Sequence, residues 1–70
     1  MSNYKKRMKK EYRQLKKRYK KLRKMLIKVD AGTLDFDLNC SYGLLREQQS
    51  HMGEYLRILQ IRAEIEGVKL

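Results

Sequence analysis

The residues of this chain that could carry chemistry are few, and most of them are cations. Cys40 and His51 are the one pair that could act as nucleophile and base, and they lie 11 residues apart across the start of a predicted helix. One cysteine and one histidine are too few for an intrachain disulfide or a zinc site. Eighteen lysines and arginines against eight acids give a net charge of +10. We therefore expect no enzyme activity, no metal and no cofactor, and we expect an anionic partner.

The positive charge is concentrated in the first half of the chain. Residues 1–29 contain 14 lysines and arginines and one acid, a net charge of +13. Residues 30–70 contain four basic and seven acidic residues, a net charge of −3. This asymmetry favours contact with a polyanion, or pairing of basic and acidic halves between subunits.

Residues 1–29 have the spacing of a helix that packs against another helix. Their apolar residues follow one another at alternating steps of four and three, which is the pattern of a helix–helix contact. The members of this apolar stripe are Met8, Tyr12, Leu15, Tyr19, Leu22, Leu26 and Val29. The pattern predicts a helix over about 3–29, and Gly32 is expected to end it.

The cations and tyrosines of this helix are the candidate ligand-binding residues. Lysine and arginine hold phosphates, and a tyrosine beside them can stack on a base. The candidates for binding a phosphate or a nucleotide are Tyr4, Lys5, Lys9, Tyr12, Arg13, Lys16, Lys17 and Lys20. Tyr12 belongs to the apolar stripe, so the alternative is that its ring only packs in the core. Tyr4 lies off the stripe and is freer to stack.

The second half of the chain predicts a helix with two apolar sides, over about 42–66 within the segment 42–70. A helix that is apolar on two sides must be covered on two sides, and the first helix can cover only one of them. The other side then needs a second subunit. The candidate residues of the oligomer interface are Leu45, Met52, Tyr55, Leu56, Ile58, Leu59, Ile61 and Ile65. The expected fold is all-α, a single-domain antiparallel hairpin (1–70) that assembles into a homo-oligomeric helical bundle.

The connection at 30–41 contains Leu34, Phe36 and Leu38 in alternation with polar residues. We expect these side chains to close the open end of the hairpin, because an isolated strand would have nothing to pair with.

The chain has no apolar run of membrane-spanning length and no signal peptide, so a cytoplasmic location is expected. Binding to a membrane surface is disfavoured because the apolar stripe is narrow and is needed for packing.

Residues 44–67, LLREQQSHMGEYLRILQIRAEIEG, resemble the C-terminal helix of small bacteriophage proteins of helical-hairpin type, with the pattern LLxEQxxxMxxYLxILxxRAxxEG. Compact phage proteins of this kind include oligomeric sponges, which sequester the cyclic nucleotide signals of bacterial antiphage defence without cleaving them. The resemblance implies such a sponge, acting in the cytoplasm of an infected host. The chain differs from the phage proteins it resembles in the first helix. That helix contains one glutamate, Glu11, whereas the first helices of those proteins contain many.

Two other functions remain open from the residues. Fourteen cations in residues 1–29 exceed what a ligand with two phosphates requires, which favours a DNA- or RNA-binding accessory protein that grips phosphates with its first helix. A structural or protein-adaptor role is the third possibility.

Overall fold

A computed structural model describes residues 2–70, which form two α-helices joined by a short connection. Helix α1 spans Ser2–Ala31 and helix α2 spans Tyr42–Glu66. The all-α hairpin predicted from the sequence is confirmed, with α2 at the predicted bounds and α1 slightly longer than 3–29. Met1, which the prediction included in the basic half of the chain, lies outside the described residues. The two helices run antiparallel and pack along their length, in a molecule measuring 46 × 17 × 16 Å.

The apolar stripe of α1 packs against α2, as its spacing predicts. All seven stripe residues are buried or half-buried, whereas the lysines and arginines between them are exposed. Leu26 of α1 and Leu59 of α2 are fully buried. Met8, Ala63 and Val68 form a buried cluster near the free end of the hairpin. The stripe therefore turns one side of α1 towards α2 and leaves its cations in solvent.

Local capping explains where the helices begin and end. The Ser41 side chain accepts a hydrogen bond of 3.1 Å from the backbone N–H of Leu44, which satisfies a free donor in the first turn of α2. Gly32 and Gly67 follow the two helices with φ of 72° and 68°. Glycine is favoured at this position because a side chain would be strained at positive φ.

Next to the connection, a polar cluster joins the ends of the two helices, and apolar side chains close this end of the hairpin only in part. Arg46 of α2 lies 3.0 Å from the Asp30 carboxylate of α1, and the Tyr42 hydroxyl donates a hydrogen bond to the same carboxylate. Leu34 and Leu38 are half-buried, as expected, but Phe36 is 58% exposed. Phe36 borders a depression with Met25 and Leu45 at this end of the hairpin but leaves most of its surface in solvent, so it closes the end less than expected.

The two apolar sides of α2 have different surroundings. Four of the eight predicted oligomer-interface residues are buried or half-buried on the side that faces α1, namely Leu45, Met52, Leu56 and Leu59. The other four are exposed: Ile58, Ile61 and Ile65 lie on the opposite side of α2, and Tyr55 lies at the edge of the contact, where it donates a hydrogen bond to Glu11 of α1. Packing within the hairpin therefore occupies the first group, because the stripe of α1 covers it. The three isoleucines of the second group are left exposed within residues 2–70.

Candidate anion-binding site

Tyrosines lie along both edges of the contact between α1 and α2, and the two edges differ in their charge. We call one the paired edge, formed by Tyr4, Glu11, Tyr55, Arg62 and Glu66. We call the other the open edge, formed by Tyr12, Lys16, Tyr19, Lys20, Arg23, Gly53, Leu56, Arg57 and Gln60. At 100° per residue, Gln60 and Arg62 flank the buried face of α2 on opposite sides, which separates the two edges.

On the paired edge, carboxylates accept hydrogen bonds from the tyrosine hydroxyls. Tyr55 donates to the Glu11 carboxylate, and Tyr4 donates to Glu66. Arg62 donates to the Tyr4 oxygen at 3.2 Å and lies 3.8 Å from Glu66. The hydrogen bond to Glu11 raises the pKa of Tyr55, because ionising the phenol would remove the donor and place two negative charges together. Both tyrosines of this edge are thus held within the chain.

The open edge forms a groove of about 320 Å³ between the helices. The Tyr12 hydroxyl accepts a hydrogen bond of 3.0 Å from the Gln60 amide, which joins α1 to α2 at this edge. The Lys16 ammonium lies 5.7 Å from the centre of the Tyr12 ring, within the range of a cation–π contact. Four cations, two tyrosines and an amide therefore surround one groove, and none of the described residues that line it is an acid. Glu64 lies next to it, in an adjoining depression that Tyr12 and Gln60 also line.

A glycine on α2 allows Tyr19 to pack closely at the open edge. A Cβ atom at Gly53 would lie 3.4 Å from Cε1 of Tyr19 and 3.7 Å from its hydroxyl. Glycine inside a helix costs about 1 kcal/mol relative to alanine, so its presence here is unfavourable for the helix itself. The missing side chain leaves the Tyr19 ring lying directly over the α2 backbone, where it forms one wall of the groove.

The cations of the open edge are available to an external anion. Among the described residues, Lys16, Lys20 and Arg23 have no carboxylate within salt-bridge distance. Arg57 lies 3.2 Å from Glu54, but this pair is exposed to solvent and such pairs are weak. The groove thus concentrates positive charge that the chain itself does not neutralise.

The structure distributes the eight predicted ligand-binding residues over several surfaces. Tyr12, Lys16 and Lys20 line the groove. Lys5 and Lys9 continue the same line of α1 beyond the groove, since each lies seven residues before Tyr12 or Lys16. The remaining three lie elsewhere: Tyr4 on the paired edge, Lys17 on the outer side of α1, and Arg13 outside the groove lining.

A second basic surface lies on the outer side of α1. It is a shallow depression of about 400 Å³ lined by Lys17, Lys20, Lys21, Arg23, Lys24 and Ile27. Lys20 and Arg23 border both this depression and the groove. The outer depression has cations but no tyrosine and no residue of α2, so it offers charge without a stacking surface.

Several groove residues were not among the sequence candidates. Arg23 has a sequence signal, because it repeats the position of Lys9 and Lys16 at seven-residue spacing. Arg57, Gln60 and Gly53 have no comparable signal, since their place at the groove depends on how α2 is aligned with α1.

Fold and site together define a two-helix hairpin with a tyrosine-lined cationic groove. Neither described helix is long and apolar enough to cross a membrane. The chain belongs to the Sequestin family, whose model matches residues 2–65 and thus almost all of both helices. The family name is compatible with a role in sequestering a ligand. The chain has no match among curated proteins or among solved structures.

Proposed function

We propose that this protein binds and sequesters a small anionic nucleotide, of the cyclic kind used as a signal, without cleaving it. The observation that carries the proposal is the open edge, where four cations and two tyrosines surround a groove of about 320 Å³. The family name and the resemblance of residues 44–67 to phage proteins support the same function. In an infected bacterium, such sequestration would lower the free concentration of an antiphage signal and so block the host defence.

The chemistry of the groove matches the parts of a cyclic nucleotide. Lys16, Lys20, Arg23 and Arg57 can donate charge-assisted hydrogen bonds to phosphate oxygens. The Tyr19 ring is half-buried, and its exposed part offers a surface on which a base can stack, a contact worth about 1–3 kcal/mol per base. The Tyr12 ring is only 8% exposed and packs in the core, as the alternative reading of the sequence expected, so it contributes its hydroxyl to the groove wall. A ligand with two phosphates and a base would use most of these groups at once.

The experiment is a calorimetric titration of the purified chain with cyclic di- and trinucleotides at about 100 and 300 mM salt. We expect tight binding of one ligand with little salt dependence, because few counterions are released when a small ligand binds. The triple variant Lys16→Ala, Lys20→Ala, Arg23→Ala should weaken binding by about 100-fold or more, since each lost contact of about 1.4 kcal/mol is a factor of ten.

The matched control removes the same charge from the outer side of α1. In the triple variant Lys17→Ala, Lys21→Ala, Lys24→Ala, the three cations lost line the outer depression and not the groove. Its affinity for the cyclic nucleotide should stay within about threefold of the unmodified chain, because screened surface charges at this distance contribute little. Equal losses in the two triple variants would contradict the proposed site.

The outer depression supports a second candidate function, the binding of DNA or RNA phosphates along α1. Its lining of five cations with no tyrosine suits a strand backbone better than a single nucleotide. The test is a titration with a mixed-sequence duplex of 30 base pairs at the same two salt concentrations. Duplex binding that collapses as salt rises, without any binding of cyclic nucleotides, would establish this candidate and refute the first. Binding of neither ligand would favour the protein-adaptor role.

A further inference from the structure

A second depression continues the groove of the open edge towards the free end of the hairpin. It has a volume of about 540 Å³, and it shares Tyr12 and Gln60 with the groove. Its floor is apolar, because Ala63 and Val68 are only 3% and 8% exposed. Unlike the groove, it is also lined by a carboxylate, that of Glu64. We call this region the Glu64 depression.

Two hydrogen-bond acceptors lie one helical turn apart in the Glu64 depression. The Gln60 amide nitrogen donates to the Tyr12 hydroxyl, which leaves the amide carbonyl oxygen to accept from a ligand. Glu64 follows Gln60 by four residues and so lies on the same side of α2, and its ionised carboxylate can only accept. Lys69 also lines the depression, but in the part of the chain that the structure describes no cation lies within salt-bridge distance of Glu64. The depression therefore offers acceptors to a group that carries N–H donors.

The groove and the Glu64 depression together have the length of a ligand with two bases. Gly53, over which the Tyr19 ring lies, precedes Glu64 by 11 residues, or about 16 Å along α2. Lys16 and Arg57 line the groove between these two ends. In an extended cyclic dinucleotide, the two bases project from opposite sides of the ring that contains the phosphates. Phosphates at Lys16 and Arg57, with one base at Tyr19, would thus direct the second base towards Glu64.

We propose that the Glu64 depression binds the second base of a cyclic dinucleotide and selects bases with an exocyclic amino group. The amino group of adenine or guanine donates hydrogen bonds that the Glu64 carboxylate and the Gln60 carbonyl accept. Hypoxanthine has no amino group and presents a carbonyl oxygen next to its ring N–H, which the carboxylate repels. The apolar floor packs against the flat face of the base. This inference rests on the proposed function, and it adds which ligands of that class the site prefers.

Three cyclic dinucleotides that differ at the base edge test this selection by calorimetric titration. Cyclic di-IMP is the reference, because its base has a carbonyl where adenine has an amino group and lacks the amino group of guanine. All three bases are purines, so their stacking surfaces are similar. We expect cyclic di-AMP, cyclic di-GMP or both to bind about tenfold or more tighter than cyclic di-IMP, which is the order of discrimination that paired contacts to a base edge give.

Glu64→Gln tests the residue, and Glu47→Gln is the matched control. An amide both donates and accepts, so Glu64→Gln should reduce the preference over cyclic di-IMP to about twofold or less. Glu47 is exposed on α2 and lines neither the groove nor the depression, so Glu47→Gln removes the same charge and should keep the preference. All three ligands carry two phosphates, and any gain in affinity from the lost negative charge therefore cancels in the ratio.

The outcomes separate this inference from the function on which it rests. Binding of cyclic dinucleotides without a preference over cyclic di-IMP, or with a preference that Glu64→Gln retains, would overturn the base selection and leave sequestration intact. Loss of the preference in both variants would also overturn it, because net charge and not Glu64 would then be responsible. If none of the three ligands bound the unmodified chain, the proposed function would fail and the inference with it.

Discussion

The paired and open edges flank the same helix–helix contact, but they differ in the partners of their tyrosines and charged side chains. On the paired edge, two carboxylates accept from two tyrosines, and Arg62 completes the cluster. On the open edge, the Tyr12 hydroxyl accepts from the neutral amide of Gln60, and the ammonium of Lys16 lies over its ring. The tyrosine hydroxyls of one edge are paired with carboxylates of the chain, and Lys16, Lys20 and Arg23 of the other have no carboxylate within salt-bridge distance among the described residues.

This difference shows how a highly basic chain can fold as a hairpin and still leave a cationic groove open to solvent. The acids Glu11 and Glu66 both lie at the edge where hydrogen bonds hold the helices together. Had they lain at the open edge, they would have paired with its cations and excluded a phosphate. The placement of two carboxylates therefore separates the part of the contact that stabilises the hairpin from the part that can bind.

Among single substitutions, the largest effect is expected from making the open edge resemble the paired edge. Gln60→Glu would place a carboxylate beside Tyr12 and Lys16, where it can accept from the hydroxyl and neutralise the ammonium. We expect the affinity for a cyclic nucleotide to fall by about tenfold or more, equivalent to about 1.4 kcal/mol, because the carboxylate competes with the phosphate. Calorimetric titration measures the change, and thermal unfolding should show that the hairpin is retained.

The control for this change is Gln48→Glu, which adds the same charge on α2 at an exposed position that does not line the groove. We expect its affinity to stay within about twofold, because an exposed charge far from the ligand is screened. If both variants weakened binding equally, net charge and not the groove would determine the affinity.

A smaller effect, in the pH dependence of stability, is expected on the paired edge. The pKa of Tyr55 is raised in the folded chain by its hydrogen bond to Glu11, so the neutral phenol stabilises the fold below the unfolded-state pKa of about 10. This contribution is lost as the pH rises from about 10 through the higher folded-state pKa. Relative to Tyr55→Phe, the unmodified chain should therefore lose stability in this range, which urea unfolding at about pH 8 and pH 11 can measure.

Glu11→Gln is the matched control for the Tyr55 measurement. It removes the carboxylate that raises the pKa of Tyr55 and keeps the shape of the side chain. In this background, Tyr55→Phe should change stability by a similar amount at both pH values. A stability difference between the unmodified chain and Tyr55→Phe that did not vary with pH would show that the Glu11 contact is absent in solution.

The helices could be predicted from the sequence because the signals that define them are local. The four-and-three spacing of the stripe, the cap at Ser41 and the glycines at 32 and 67 act within a few residues of one another. The two edges depend on distant residues instead. Gln60 lies 48 residues after Tyr12, and Glu66 lies 62 residues after Tyr4. Only the alignment of α2 with α1 determines which tyrosine meets an acid, so the sequence could not show that Tyr4 pairs with a carboxylate and Tyr12 with an amide.

The smallest effect is expected at Gly53, where the substitution that stabilises α2 also narrows the groove of the open edge. Gly53→Ala should raise the free energy of unfolding by up to about 1 kcal/mol, because alanine is the better helix former. The added methyl would lie 3.4 Å from the Tyr19 ring, which is an ordinary contact, so the ring need not move far. The methyl should still narrow the groove and weaken nucleotide binding by less than Gln60→Glu does. Urea unfolding and calorimetry measure the two changes.

Gly43→Ala separates the helix effect from the groove effect, because a Cβ atom at Gly43 would have no neighbour within 4 Å. It should stabilise α2 without changing the affinity for a nucleotide. If Gly53→Ala and Gly43→Ala had the same effect on binding, the missing side chain at Gly53 would have no role in the groove. A loss of affinity confined to Gly53→Ala would show that glycine at this position keeps the groove wide enough for its ligand, although it lowers the stability of α2.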